Sequence, residues 1–132
     1  MRNFKKLLVW QKAMKIVELT YQMTDKFPDY EKFGLTSQCQ RSAVSIASNI
    51  AEGSSRRSEK DKYRFSEIAL GSAFELETQV LVAQLRQYAS PELIQALRLK
   101  AVATCQEPVA CSRTNQPYST QFTTSASSLN AI

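Results

Sequence analysis

The densest group of charged side chains in the sequence is a run of cations near its middle. Guanidinium and ammonium groups around the start of a helix, where backbone N–H groups are free, suit phosphate. Glu59 and Asp61 lower the net charge of this run, so a solvated helix start is the alternative interpretation. Together with one arginine earlier in the chain, the run forms a candidate nucleic-acid contact: Arg41, Arg56, Arg57, Lys60, Lys62 and Arg64.

The sequence offers no recognisable catalytic or metal-binding pattern. It contains no histidine, the commonest general base and metal ligand. Asp25, Asp29 and Glu31 lie together but are typical of a solvated turn, and Glu75 and Glu77 point apart on a helix because they are two residues apart. The glycines are too scattered to form a phosphate-cradling loop. The sequence therefore predicts a protein that is not an enzyme and uses no cofactor and no metal.

The composition of the chain indicates the cellular compartment of the protein and the class of partner that it could bind. The 132 residues carry a net charge of +5, a basic bias that permits nucleic acid as a partner without requiring it. The odd number of cysteines, without metal-ligand spacing, indicates reduced thiols. No uncharged apolar run approaches the ~18 residues of a membrane span, and Lys12 and Lys15 interrupt the apolar N-terminal segment. We therefore expect a bacterial cytoplasmic protein with no membrane contact and no small-molecule substrate.

Hydrophobic periodicity predicts an all-α fold, an antiparallel up-down four-helix bundle. Helix 1 should run from about Phe4 to Lys26. Its apolar stripe is predicted to contain Trp10, Ala13, Met14, Val17, Tyr21 and Thr24.

Helix 2 should run from about Leu35 to Glu52. Ser37 and Gln40 fit a capping box, and Gly53 suits a C-cap. The helix is rich in small residues, which let neighbouring helices approach closely. Asn49 and Glu52 favour a polar lock that sets helix register, with a ligand site as the alternative.

Helix 3 should run from about Glu59 to Ala89, with Ser58 and Asp61 as its start signal. One apolar face contains Phe65, Ala69, Ser72, Leu76, Val80 and Ala83. The opposite face is also apolar, with Leu70, Phe74, Leu81, Leu85 and Tyr88. No helix of a four-helix bundle is fully surrounded, so the second face is predicted to contact another copy of the chain. Coverage by loop and tail residues is the alternative.

Helix 4 should begin after the cap Ser90, with Pro91 as its first residue, and should end at Pro108. Its apolar stripe is Leu93, Ile94, Leu97, Ala101 and Val102. These boundaries place the bundle in residues 1–107. Residues 108–132 are rich in Ser and Thr and carry one charge, which predicts a disordered or loosely packed tail.

Three segments resemble a bacterial four-helix-bundle family known from open reading frames in the intervening sequences of 23S ribosomal RNA genes. The clearest is the run from Gln38 to Gly53, which ends in a Ser-Ile-x-x-Asn-Ile-Ala-Glu-Gly pattern. The runs 8–13 and 68–79 resemble the first and third helices of that family. The residues that match the motif are Arg41, Ser45, Ile46, Asn49, Ile50, Ala51, Glu52 and Gly53.

The resemblance covers about residues 4–106 and implies an up-down bundle that assembles as a ring, typically a homopentamer. Relatives within the family serve as accessory proteins to the reverse transcriptase of diversity-generating retroelements, and these are thought to bind nucleic acid through a basic surface. Two functions follow as hypotheses. One is an oligomeric module that binds RNA or an RNA–DNA hybrid, or DNA. The other is a protein-interaction adaptor, for example an accessory subunit of a reverse transcriptase.

Overall fold

The computed structural model describes residues 3–112, and within this range the secondary structure is helical, with no strand. Two short 3-10 turns, Phe4–Lys6 and Asp29–Glu31, accompany four long helices. The helices are α1 (Leu8–Thr24), α2 (Leu35–Ser54), α3 (Glu59–Leu85) and α4 (Pro91–Ser112). The all-α prediction with four helices is therefore confirmed for the described part of the chain.

Each long helix packs against two others, and the core lies between all four. α1 contacts α2 and α4, and α3 also contacts α2 and α4. Side chains with almost no exposed surface fill the centre: Ile16, Met23, Ile46, Leu76, Val80, Ile94 and Leu97. None of the helices between residues 3 and 112 combines the length and apolarity that a membrane span needs.

The buried face of α1 is rotated from the predicted stripe. The structure buries Val9, Ala13, Ile16, Thr20, Met23 and Thr24. Met14 and Tyr21, which the prediction placed in the core, are exposed. The apolar arc of α1 covers about half of the helix circumference, and the rest of the bundle covers only the part centred on Ile16. The prediction for Met14 and Tyr21 is wrong for this reason, and both side chains lie on the surface of this chain.

The start of α2 is capped by a carboxylate from the preceding turn. Glu31 Oε2 accepts the backbone N–H of Leu35 at 2.8 Å. The predicted capping box is therefore wrong, because Ser37 and Gln40 lie inside the helix. Gln40 instead donates its side-chain N–H to Thr24 Oγ1 at 3.1 Å, which ties α2 to α1.

The predicted C-cap role of Gly53 is also wrong. α2 continues to Ser54, and no glycine within residues 3–112 has a positive φ. A Cβ atom on Gly53 would lie 2.8 Å from the Cβ atom of Phe65 on α3. The lack of a side chain at Gly53 therefore lets α2 and α3 approach closely, as the small residues of this helix predicted.

α3 begins as predicted and ends earlier than predicted. Ser58 Oγ accepts the backbone N–H of Asp61 at 3.1 Å. The helix ends at Leu85, and Gln87 has a φ of 58°. The N–H of Tyr88 then bonds to the carbonyl of Ala83 at 3.0 Å, the pattern of a Schellman cap. A non-glycine residue in the left-handed region carries no sequence signal, which is why the boundary was misplaced.

α4 begins at Pro91 as predicted but passes through Pro108 and ends at Ser112. A proline inside a helix removes one backbone hydrogen bond. The buried face of α4 nevertheless continues beyond it, because Ala101, Cys105 and Val109 are buried at intervals of four residues. The free energy gained by burying this stripe offsets the loss of one hydrogen bond, and the helix continues. The predicted end at Pro108 is therefore wrong. The rest of the predicted tail, residues 113–132, lies outside the described residues.

Candidate nucleic-acid interface

The basic run lies where α2 turns into α3. α2 ends at Ser54, four residues form the connection, and Ser58 caps the first turn of α3. Arg56 and Arg57 fall in the connection, and Lys60, Lys62 and Arg64 fall in the first two turns of α3. We call the exposed part of this segment, Arg56, Arg57, Lys60 and Arg64, the basic corner.

Three cations of the basic corner face solvent without a local counterion. Arg57, Lys60 and Arg64 are exposed, and within residues 3–112 no carboxylate oxygen lies within 4 Å of their side-chain nitrogens. Lys60 and Arg64 are four residues apart on α3, so they lie on the same helix face about 6 Å apart along the axis. These three side chains are available to phosphate.

Arg56 is held in place by two neighbours. Its Nη2 atom lies 2.5 Å from Glu52 Oε1, and its guanidinium stacks over the Phe65 ring, 4.7 Å from the ring centre. The ion pair balances part of the charge of Arg56, and the stacking fixes its direction. Arg56 therefore forms the edge of the basic corner and contributes less charge than the other three.

Lys62 is not part of the exposed surface. Its side chain is only 3% exposed, and its ammonium group donates to Glu59 Oε1 one turn earlier. The prediction that Lys62 contacts nucleic acid does not agree with this position, because the side chain folds onto the bundle instead of projecting from it. Lys62 contributes to the packing of the α3 start.

Arg41 lies far from the basic corner. It precedes Ser54, the last residue of α2, by thirteen residues, which places it about 20 Å along the helix axis from the connection that carries Arg56. Its side chain is exposed and lines a surface depression of about 380 Å³ between α1 and α2, together with Tyr21 and Val44. The structure therefore separates Arg41 from the other candidate residues.

The motif residues of α2 build a chain of hydrogen bonds to α3. Asn49 Nδ2 donates to the backbone oxygen of Ser45 at 2.8 Å and to its hydroxyl at 3.1 Å. The hydroxyls of Ser45 and Ser72 are 2.8 Å apart, and Ser72 donates to the carbonyl of Ile68. These contacts agree with the polar lock that the sequence suggested for Asn49.

The other motif residues serve packing. Ile46 and Ile50 are buried in the core, and Ala51 is half-buried. Glu52 pairs with Arg56, so its role lies at the basic corner instead of in the lock. A second hydroxyl contact, Ser42 Oγ to Gln79 Oε1 at 2.9 Å, was not found from the sequence, because it requires the register between α2 and α3.

The structure divides the residues predicted for self-association. Phe74, Leu81 and Leu85 on α3 are exposed, and Leu85 is 83% exposed. Leu70 and Tyr88 instead pack partly against the core. Tyr88 lies beyond the end of α3, where its ring contacts Phe27 and its hydroxyl lies 3.0 Å from that of Tyr30.

The remaining reactive groups are poorly placed for chemistry. Among residues 3–112 no group of His, Cys, Asp or Glu side chains is arranged to hold a metal ion. Burial raises the pKa of the Cys39 thiol to about 12, and it raises the pKa of the Cys105 thiol to about 12. Both buried thiols are therefore protonated and poorly nucleophilic at neutral pH. The carboxylate of Glu31 is used to cap α2.

The fold and this surface define an all-helical protein of four helices with an exposed basic corner. A family model described as 23S rRNA-intervening sequence protein matches residues 5–107, so the chain belongs to that family. A crystal structure of a protein of unknown function from the S23 ribosomal protein family of Bacteroides thetaiotaomicron has the same fold, with a TM-score of 0.70 and 21% identity. The match covers 83% of this chain and 100% of that one. No curated protein matches the sequence.

Proposed function

We propose that this protein is a non-enzymatic, oligomeric protein that binds RNA or an RNA–DNA hybrid through the basic corner. The observation that carries the proposal is the group of exposed cations without a local counterion, Arg57, Lys60 and Arg64. They surround the start of a long helix, whose dipole favours phosphate. The family of the chain, named for 23S rRNA intervening sequences, is consistent with this partner.

The proposal includes the way in which the helices and the copies assemble. We expect α1 to α4 to run alternately up and down as an antiparallel bundle, and the copies to form a ring, a homopentamer by family resemblance. The contact of Gly53 with Phe65 near the connection, and that of Ser42 with Gln79 far from it, support an antiparallel order for α2 and α3. The exposed apolar side chains of α3 support self-association. A ring would repeat the basic corner and multiply its positive charge.

Binding should be measured by fluorescence anisotropy against structured RNA, an RNA–DNA hybrid and duplex DNA over a range of salt concentrations. Contacts to phosphate release counterions, so affinity should fall steeply with salt. The double variant Arg57→Ala/Lys60→Ala should bind about 10-fold or more weakly and show a smaller salt slope. The control Lys26→Ala/Lys32→Ala removes the same charge from the other end of α2 and should bind nearly as well as the unchanged protein.

Two outcomes would contradict the proposal. One is the absence of salt-sensitive binding to any of the three nucleic acids. The other is an equal loss of affinity in both double variants, because net charge alone would then explain binding and the basic corner would have no special role.

A second candidate function, a protein-interaction adaptor, is favoured by an exposed aromatic pair at the far end of α2. Tyr30 is 70% and Phe33 91% exposed, which is unusual for aromatic side chains. A reverse transcriptase encoded in the neighbourhood is the partner to test. If the reverse transcriptase co-purifies with the unchanged protein but not with a Tyr30→Ser/Phe33→Ser variant, the adaptor function is favoured. If equal amounts of the reverse transcriptase co-purify with both, this surface is excluded as its binding site.

A further inference from the structure

Two separate surfaces of the chain expose large apolar side chains that do not take part in the core. The first, which we call the ridge, is the outer face of α3 formed by Gly71, Phe74, Thr78, Leu81 and Leu85. The second, which we call the groove, lies between α1 and α2 and is formed by Tyr21, Gln40, Arg41, Val44 and Ser48. Covering apolar side chains of this size with another molecule removes them from water and lowers the free energy.

The ridge has the form of a helix-packing seam. Its members recur at alternating intervals of three and four residues, the spacing with which one helix packs against others. Gly71 lies exposed in the middle of α3, and a Cβ atom added there would meet nothing within 4 Å. A mid-helix glycine costs about 1 kcal/mol relative to alanine. No contact within the described chain compensates for this cost, whereas the close approach of another molecule would.

The groove is concave and carries a charge opposite to one beside the ridge. Small side chains, Ser45 and Ser48 among them, line the depression between α1 and α2, with the larger Tyr21 at its side. Arg41 is exposed in the groove, and Glu67 is exposed one turn before Gly71 in line with the ridge. Neither charged group has an ion-pair partner within residues 3–112.

We propose that the ridge of one copy docks in the groove of a second copy, with Arg41 facing Glu67 of the partner subunit. This inference rests on the self-association proposed above and adds the surface that receives α3. Since the two surfaces differ, the contact is heterologous, so each copy offers one free ridge and one free groove to the next. Such a contact produces a closed ring or an open filament, whereas a contact of α3 with α3 would end at a dimer.

The test uses one variant for each surface and light scattering of the full chain. Phe74→Asp/Leu81→Asp disables the ridge, and Tyr21→Asp/Val44→Asp disables the groove. Each alone should be monomeric, with a self-dissociation constant raised at least ~100-fold. An equimolar mixture should form a heterodimer of twice the monomer mass, because one intact ridge and one intact groove remain. The control Gln22→Asp, an exposed site elsewhere on α1, should keep the mass of the unchanged protein.

The outcomes separate the two proposals. A monomeric unchanged protein would overturn self-association itself. An oligomer that survives in the groove variant but not in the ridge variant would leave self-association standing and overturn the docking inference, as would a mixture that stays monomeric. Arg41→Glu and Glu67→Arg provide a test that perturbs packing less. Each should weaken assembly, and the double variant should recover most of it, whereas additive losses would contradict the pairing.

Discussion

Gly53 lies where α2 and α3 pack closely, and replacing it by alanine should destabilise the bundle. An added Cβ would lie 2.8 Å from the Cβ atom of Phe65. The clashing atom is attached directly to the α3 backbone, so no side-chain rotation relieves the contact and the two helices must separate. Gly71 provides the matched control, because it is also a mid-helix glycine and a Cβ added there meets nothing within 4 Å.

The expected magnitudes have opposite signs at the two positions. Alanine gains about 1 kcal/mol over glycine inside a helix at either site. Overpacking at Gly53 costs typically about 1–3 kcal/mol, which outweighs that gain. Gly71→Ala should therefore raise the free energy of unfolding by about 1 kcal/mol, and Gly53→Ala should lower it by about 1 kcal/mol.

Urea unfolding followed by circular dichroism measures both changes, with equal m-values as the check that the unfolded states are comparable. Both substitutions should be made in the Phe74→Asp/Leu81→Asp background, so that association does not contribute to the measured stability. Equal stabilisation by the two alanines would refute the packing role of Gly53, because helix propensity would then account for both.

Three further predictions concern the α3 end, the hydroxyl chain and the buried thiols. Gln87→Gly should stabilise the protein by about 1 kcal/mol in thermal unfolding, because φ is 58° there and glycine adopts this left-handed conformation without strain. An unchanged stability would show that the left-handed conformation of Gln87 costs no free energy. Ser72→Ala should cost about 1 kcal/mol in urea, because it leaves Ser45 without its interhelical partner, and an unchanged midpoint would contradict that role. The folded-state pKa of Cys39 and of Cys105 is raised from 9.0 to about 12, so both thiols must stay protonated in the fold. Stability should be independent of these thiols below pH 9 and should fall above it by on the order of 1 kcal/mol per pH unit for each. A double Cys→Ala variant with the same alkaline slope would contradict this.

The order of the helices and the starts of α3 and α4 were predictable because the signals are local. A serine cap or a proline at a helix start acts within a few residues, as at Glu59 and Pro91, whereas α2 begins at Leu35 as predicted although its cap is Glu31 and not the predicted serine. The buried face of α1 was harder to predict from the sequence. Its apolar arc is wider than the surface that the bundle covers, and periodicity alone does not tell which half of such an arc lies inside.

The sequence predicted which cations of the candidate site lie close together, but not which of them are exposed on the surface. The basic run is visible in the sequence, whereas the burial of Lys62 depends on where its aliphatic stem and Glu59 fall on the packed bundle. The Ser45–Ser72 contact likewise requires the register between two helices. The distance of Arg41 from the corner is the exception, because the thirteen residues from Arg41 to the end of α2 fix it once the helix is known to be continuous.

The four-residue connection between α2 and α3 also has a consequence for the order in which the molecule folds. Contacts across this helical hairpin, from Gly53 with Phe65 outward to Ser42 with Gln79, join residues that are near in sequence. Closing such short loops costs little chain entropy, so local pairs form before contacts that join distant segments, such as those of α1 with α4. The hairpin is therefore expected to form before α1 packs against α4, and the basic corner is its closed end. The surface proposed to meet nucleic acid would then take shape before the bundle around it is complete.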